Sequence, residues 1–196
     1  MNRRYDVTFH GRRYRTTVTF DAVLDVLDAY EDDGLSAVDK AGIALQRFLR
    51  SPWRTWSMKA EDKLELLNRI FRTQVETETR SAGPSQERIL DFRLDEGYIY
   101  ASFRQAYGMD LHREEGRLHW KTYLALFQGL PDGTKIREVM RIRAMKLPEP
   151  SRYNHKQIEQ IIRLKSYYAL PVKGGGGQDG LGALFDRLKN CALAKK

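Results

Sequence analysis

Residues 98–130 read YIYASFRQAYGMDLHREEGRLHWKTYLALFQGL, and this stretch decides the fold. Two amphipathic segments flank a Gly-Met-Asp-Leu turn. The second, from about Gly116, is apolar around most of its circumference, which predicts a buried helix at the centre of the core. The first predicts a helix over about 86–107 that ends at Gly108, because glycine readily takes the left-handed conformation of a helix C-terminus. The stretch contains seven aromatic residues: Tyr98, Tyr100, Phe103, Tyr107, Trp120, Tyr123 and Phe127.

Five further helices are predicted from apolar residues at helical spacing in the flanking sequence. The second of the seven opens at Ser36, which forms a predicted capping box with Asp39. The first helix follows a cap at Thr19 or Asp21, and the sixth follows a cap at Thr134 or Asp132. The third is predicted over Ala60 to Thr77 and the last over Asn154 to Ala169.

Residues 5–9 and 14–18 alternate apolar and polar side chains, which predicts a β-hairpin connected by 10–13. We expect it to pack on its own domain, since a lone hairpin is marginal in water. The predicted fold class is mainly α: a multi-helix bundle of about seven helices with a short N-terminal β-hairpin and a flexible Gly-rich C-terminal tail.

The segment 77–88 is polar and contains Gly83-Pro84, so it is the best loop in the middle of the chain. It either separates two lobes, which we favour, or is a surface loop of one domain. The predicted division is an N-terminal hairpin and helical lobe at 1–76, the loop at 77–88, a C-terminal helical lobe at 89–170 and a flexible tail at 171–196.

The tail begins with Gly174 to Gly177 and then places Leu181, Leu184, Phe185 and Leu188 at helical spacing. Such a short amphipathic segment needs a surface to bind. The alternative is a frayed terminus.

The chain of 196 residues has a formal net charge of +8 and a single cysteine, Cys191, which fits a reducing compartment. It has no apolar run long enough to span a membrane and no signal-peptide pattern near its start, so we expect a soluble, cytoplasmic protein. Its acids lie among the bases, and we therefore do not expect nucleic acid as its partner. On the sixth helix we expect Lys135, Arg137, Arg141 and Arg143 to face outward, and Ile136, Met140, Ala144 and Leu147 to face inward.

No catalytic, cofactor-binding or metal-binding motif is apparent in the sequence, and we expect a protein that is not an enzyme. The four histidines lack metal-ligand spacing. His119 is interpreted as structural rather than functional. Asp91, Asp95 and Glu96 are interpreted as a solvated helix face. Trp53 and Trp56, in SPWRTWSMK, either bind a base or a partner, or wedge between helices, which is the commoner role of such residues.

One set of motifs resembles the signature of the bacteriophage Gp15 family. Its centre is Asp95-x-x-Tyr98-Ile99-Tyr100-Ala101-Ser102-Phe103-x-Gln105-x-Tyr107-Gly108-Met109-Asp110-Leu111, and the resemblance extends over about 20–170. It continues in Leu118-His119-Trp120, Leu124-x-Leu126, Gly129-Leu130-Pro131, Thr134-Lys135, Ile142-Arg143, Leu147-Pro148 and Tyr167-Tyr168-Ala169-Leu170. Lys121 stands where such proteins often carry a second Trp.

The resemblance implies a tail assembly chaperone of long-tailed phages that keeps the helical tape-measure protein soluble. Its expected partner is the tape-measure protein. Two further candidate partners are the tail tube protein and a second copy of the chain. It would act in the host cytoplasm. Two alternatives stay open: a structural tail or connector subunit retained in the virion, and a basic nucleic-acid-binding protein. The candidate partner-binding residues are Trp53, Trp56, Tyr100, Tyr107, Tyr123, Leu181, Leu184 and Phe185.

Overall fold

The computed structural model describes residues 6–76, 89–151 and 153–171. This part of the chain contains one β-hairpin and seven α-helices, which confirms the predicted fold class; the predicted tail lies outside the described residues. The elements are β1 (Asp6–Phe9), β2 (Arg12–Arg15), α1 (Phe20–Glu31), α2 (Ala37–Phe48), α3 (Ala60–Ile70), α4 (Glu96–Tyr107), α5 (Trp120–Gln128), α6 (Lys135–Ala144) and α7 (His155–Tyr167). Short 3-10 turns cover Pro52–Thr55 and Leu111–Glu114, and a π-helical turn, Phe71–Val75, extends α3.

The described residues form two compact units. The first unit consists of 6–76 and 112–128, and the second consists of 89–111 and 129–171 without residue 152. The chain therefore leaves the first unit, contributes α4 to the second, and returns to the first with α5. The division of the sequence into lobes at 1–76 and 89–170 stays a prediction.

The hairpin of the first unit turns more tightly than predicted. Phe9 pairs with Arg12, so the connection is His10-Gly11 alone. Both residues have positive φ, 46° and 72°, which is the geometry of the two-residue turn whose twist matches that of paired strands. Val7, Phe9 and Tyr14 are buried on the inner face, and the hairpin packs on its own unit as predicted.

The capping box predicted at the start of α2 is confirmed. Asp39 N donates to Ser36 Oγ at 3.2 Å, and Ser36 N donates to Asp39 Oδ2 at 3.3 Å. These two contacts satisfy backbone donors that the first helical turn leaves without partners. The helix then buries Ala41, Leu45 and Phe48.

Helix α5 adds one face to the core of the first unit, but Ala125 is exposed and Leu126 is half-buried, so the prediction of a helix buried around most of its circumference is wrong. Trp120, Tyr123 and Leu124 are buried. The helix begins at Trp120 rather than near Gly116, because the residues before it pair as an extended bridge. Phe20 N donates to Leu118 O and Trp120 N donates to Val18 O, both at 3.0 Å. This backbone pairing sets where α5 can begin.

In the second unit, α4 begins at Glu96 rather than near 86. Asp91 forms a turn before it, because its Oδ1 accepts hydrogen bonds from the backbone N–H groups of Arg93 and Leu94 at 2.9 and 3.0 Å. The helix ends at Gly108 with φ 63°, as predicted. Buried Ser102 links α4 to α6, since Ile136 N donates to its Oγ at 3.0 Å.

The buried face of α6 differs from the prediction. Ile136 is buried as expected, but Ala144 and Leu147 are exposed and Met140 is only half-buried. The other buried residues of this helix are Val139, Ile142 and Arg143. The helix ends at Ala144, so the predicted stripe runs beyond it, and Arg143 points inward because it has a buried acidic partner.

That partner is Asp95, so the prediction of a solvated face is also wrong at this position. Arg143 Nη1 and Nη2 donate to Asp95 Oδ2 and Oδ1 at 2.6 and 2.8 Å. The Asp95 side chain is 1% exposed and that of Arg143 is 8% exposed. The same guanidinium donates to Ile89 O at 3.0 Å and to Tyr168 O at 2.6 Å. The Arg143 side chain thus links four parts of the unit by hydrogen bonds: α4, α6, the end of α7 and the irregular segment before α4.

We expect Asp95→Asn to destabilise the protein severely, because it leaves the Arg143 charge buried without its counter-charge. The expected loss in the free energy of unfolding is about 3–5 kcal/mol, measured by urea denaturation followed by circular dichroism. Glu159→Gln is the matched control, since it breaks the exposed Glu159–Arg163 pair, whose atoms are 3.7 Å apart. Equal urea midpoints for the two variants would contradict the role assigned to the buried pair.

Candidate partner-binding surface

Two indoles project from the first unit beside the hairpin. The Trp53 side chain is 58% exposed and that of Trp56 is 73% exposed, so the interpretation that they wedge between helices is wrong. They lie at the two ends of one 3-10 turn, where Trp56 N donates to Trp53 O at 3.2 Å. A 3-10 helix has three residues per turn, so side chains three apart lie above one another. Both indoles therefore project from the same side of the segment.

The residues between the two indoles hold the turn in place. Thr55 is buried, and its hydroxyl donates to Pro52 O at 2.7 Å. Arg54 Nη1 donates to the backbone oxygen of Arg13 at 3.1 Å, and its guanidinium lies 5.2 Å from the centre of the Tyr14 ring. Because Thr55 and Arg54 make the anchoring contacts, the two indoles are left on the outside.

Four arginines, Arg13, Arg15, Arg50 and Arg54, lie on the two segments that adjoin the indoles. Arg50 N donates to Arg15 O at 3.1 Å, and this bond, with the Arg54 contact to Arg13, places residues 50–54 beside β2. The side chains of all four arginines are exposed. We call this region the tryptophan–arginine surface; it consists of Trp53, Trp56, Arg13, Arg15, Arg50 and Arg54. Sequence reasoning singled out the two indoles but not β2 as their neighbour, because that pairing joins residues far apart in the chain.

The other predicted residues behave differently. In the second unit Tyr107 is 38% exposed and Tyr100 is half-buried; they lie seven residues apart on one side of α4. Tyr123 is 1% exposed and stacks on Phe20 with ring centres 4.9 Å apart, so the prediction that it lines a surface is wrong. Leu181, Leu184 and Phe185 lie outside the described residues.

His119 lies in the extended bridge that precedes α5. Its backbone pairs with Thr19 in the extended bridge before α5, and its Nδ1 accepts a hydrogen bond from Lys121 N at 3.2 Å. Burial, and then the positive charge of Lys121, lower the pKa of His119 to about 4. The imidazole is therefore neutral at physiological pH.

No group of three or more His, Cys, Asp or Glu side chains suited to a metal ion occurs within residues 6–76, 89–151 and 153–171. In the same described ranges, no helix has the length and apolar character needed to cross a membrane.

Comparison with known proteins gives one match. The family model described as Bacteriophage Gp15 protein matches residues 3–170. Searches of curated proteins and of solved structures found no match. The matched range begins earlier than the resemblance seen in the motifs, so it includes the hairpin and the whole tryptophan–arginine surface. It also includes Asp95 and Arg143.

We expect the stability of the protein to fall as the pH drops from about 6.5 to about 4, in part because of His119. In this window the unfolded chain binds a proton at the imidazole and the folded chain does not, so protonation favours unfolding. Wild type should therefore lose more unfolding free energy on acidification than His119→Gln, measured by urea denaturation at neutral pH and at the acid end of the window.

Nuclear magnetic resonance titration of the His119 ring gives an independent reading of the same pKa. Lys121→Gln should raise that pKa, because it removes a neighbouring positive charge. A His119 ring that titrates at its ordinary value in the folded protein would contradict both expectations.

Proposed function

The chain belongs to the bacteriophage Gp15 family, and we propose that it is a non-enzymatic tail assembly chaperone whose client is the tape-measure protein. Membership of the family indicates a phage structural or morphogenesis role. The finer proposal concerns what the chain does in morphogenesis: it binds the client in the host cytoplasm while the tail tube assembles.

The exposed Trp53–Trp56 pair is the observation that carries this proposal. Large apolar side chains grouped on a surface mark sites of protein interaction, and tryptophan is the residue most enriched among interface hot spots. A long helical client presents apolar side chains at i, i+3, i+4 and i+7, which suit a shallow surface of rigid aromatic rings. The two indoles offer such a surface, and the anchored turn holds them in place before the client arrives.

The second unit adds apolar surface of its own. No residue of α7 is buried, and Ile162, Leu164 and Tyr167 on that helix are exposed. Lys165 Nζ donates to Met145 O at 2.8 Å, while these apolar side chains of the same helix stay in contact with water. This arrangement supports a protein that binds an extended client through more than one patch.

Co-expression with the tape-measure protein tests the proposal. Wild type should hold the client in the soluble fraction and elute with it as a complex. Trp53→Ala combined with Trp56→Ala should weaken the complex by roughly 30-fold or more, because truncating an interface hot spot costs about 2 kcal/mol or more. Val38→Ala, which truncates an exposed apolar side chain of α2 outside the proposed surface, is the control and should leave the complex intact.

An insoluble client in the presence of wild type would overturn the chaperone proposal. Mass spectrometry of purified phage particles distinguishes an assembly chaperone from a subunit that stays in the virion. A chaperone leaves the assembled tail, whereas a tail or connector subunit is found in every particle.

A further inference from the structure

The charges around the two indoles define the chemistry of the partner. Resting on the proposed function, we propose that the segment which docks on the tryptophan–arginine surface is an acidic amphipathic helix. Its large apolar side chains contact Trp53 and Trp56, and its carboxylates pair with the guanidinium groups of Arg15 and Arg50.

The surface has a strong excess of positive charge. Residues 12–20 contain three basic residues, residues 49–60 contain three more, and neither stretch contains an acid. The two stretches lie side by side through the backbone bond from Arg50 to Arg15. Asp6 pairs with one of these six basic residues, Arg13, and the other five leave an excess of positive charge on the two adjoining segments at this edge of the first unit. An acidic segment is attracted to such an edge, and a basic one is repelled.

All four arginines are exposed, but two of them are engaged by neighbouring groups of the fold and two have guanidinium nitrogens to offer a partner. Arg13 is ion-paired with Asp6, with Nε donating to Oδ2 at 2.6 Å, and Arg54 is engaged by Tyr14 and the Arg13 backbone. Arg50 Nε donates to Thr17 Oγ1 at 3.2 Å, which leaves the two terminal nitrogens of its guanidinium for a carboxylate. In the described part of the chain, neither Arg15 nor Arg50 has an acidic side chain within ion-pair distance.

Carboxylates are the natural counterpart of these two groups. A guanidinium binds a carboxylate through two parallel N–H···O bonds, and that planar geometry gives orientation as well as attraction. The indoles, which follow Arg50 in the same segment, supply the apolar contact area. A helix with acids flanking an apolar stripe would satisfy both kinds of group at once.

The extent of the positive surface favours a protein segment over nucleic acid. A protein that binds a single strand needs a positive groove that follows the phosphates for several nucleotides. Here Asp6 lies directly across the hairpin from Arg15, and Glu61 and Asp62 begin α3 immediately after the second basic stretch. Acids therefore lie next to both basic stretches, so the positive charge does not continue as a groove along a strand of phosphates would require.

Peptide binding to the full chain tests the inference. The probes are two synthetic amphipathic peptides of about 18 residues, roughly five helical turns, which share one apolar stripe of Leu and Phe and lack Trp. One carries Glu at the polar positions and the other carries Lys, and a single-stranded oligonucleotide is the third probe. Binding is measured by the tryptophan fluorescence of the protein and by calorimetry.

The acidic peptide should bind at least about tenfold more tightly than the basic one, and the difference should shrink as salt is added. Arg15→Glu combined with Arg50→Glu should reverse the preference, while Arg15→Lys with Arg50→Lys should keep it. Arg163→Glu, which reverses an exposed charge on α7, should not change it. Circular dichroism of each variant checks that it is folded, and a purely structural role of the arginines would not produce the reversal.

The inference is overturned if the two peptides bind equally, if neither binds, or if the oligonucleotide binds more tightly than the acidic peptide. Its failure is distinct from failure of the chaperone proposal. A chain that solubilises the tape-measure protein without preferring acidic peptides keeps its function and loses this surface chemistry. A chain that selects the acidic peptide but leaves the tape-measure protein insoluble keeps this surface chemistry and loses the chaperone function.

Discussion

The second unit depends on the buried ion pair between Asp95 and Arg143. Asp95 stands at the N-terminus of α4 and Arg143 in the last turn of α6, so each charge also lies at the helix end that stabilises it. Burying both charges is costly, and two parallel hydrogen bonds with two backbone acceptors offset that cost only in one arrangement of the segments. The pair therefore fixes the geometry of the unit more than it adds to stability.

The sequence predicts the elements of this fold well and their burial less well. The seven helices, the capping box at Ser36 and the stop at Gly108 follow from local physics, since each depends on residues within a few positions of one another. The inward face of Arg143 does not follow, because its partner is 48 residues away and charged side chains are normally exposed. Periodicity ranks residues by apolarity, so it assigned Ala144 and Leu147 to the core in place of the arginine.

The same limit explains the start of α5. Helical periodicity extends back to about Gly116, but Leu118 pairs with Phe20 and Trp120 N pairs with Val18, and the backbone hydrogen bonds of that bridge replace those of a helical turn. His119 belongs to this bridge, which is why its ring is partly buried and its pKa is lowered to about 4. The chemistry of that residue is a consequence of long-range pairing that no local pattern in the sequence shows.

The candidate surface was predictable in its aromatic residues and not in its arrangement. Trp53 and Trp56 stand out by composition, yet tryptophan is usually buried, so their exposure had to come from the anchoring of the turn by Thr55 and Arg54. Those anchors complete the local fold without either indole. Two large apolar side chains exposed to water add no stability to the fold. The positive charges beside them repel one another, which also costs free energy. The proposed apolar, acidic segment would remove both costs on covering the surface, and this is the physical reason for proposing a partner at this region.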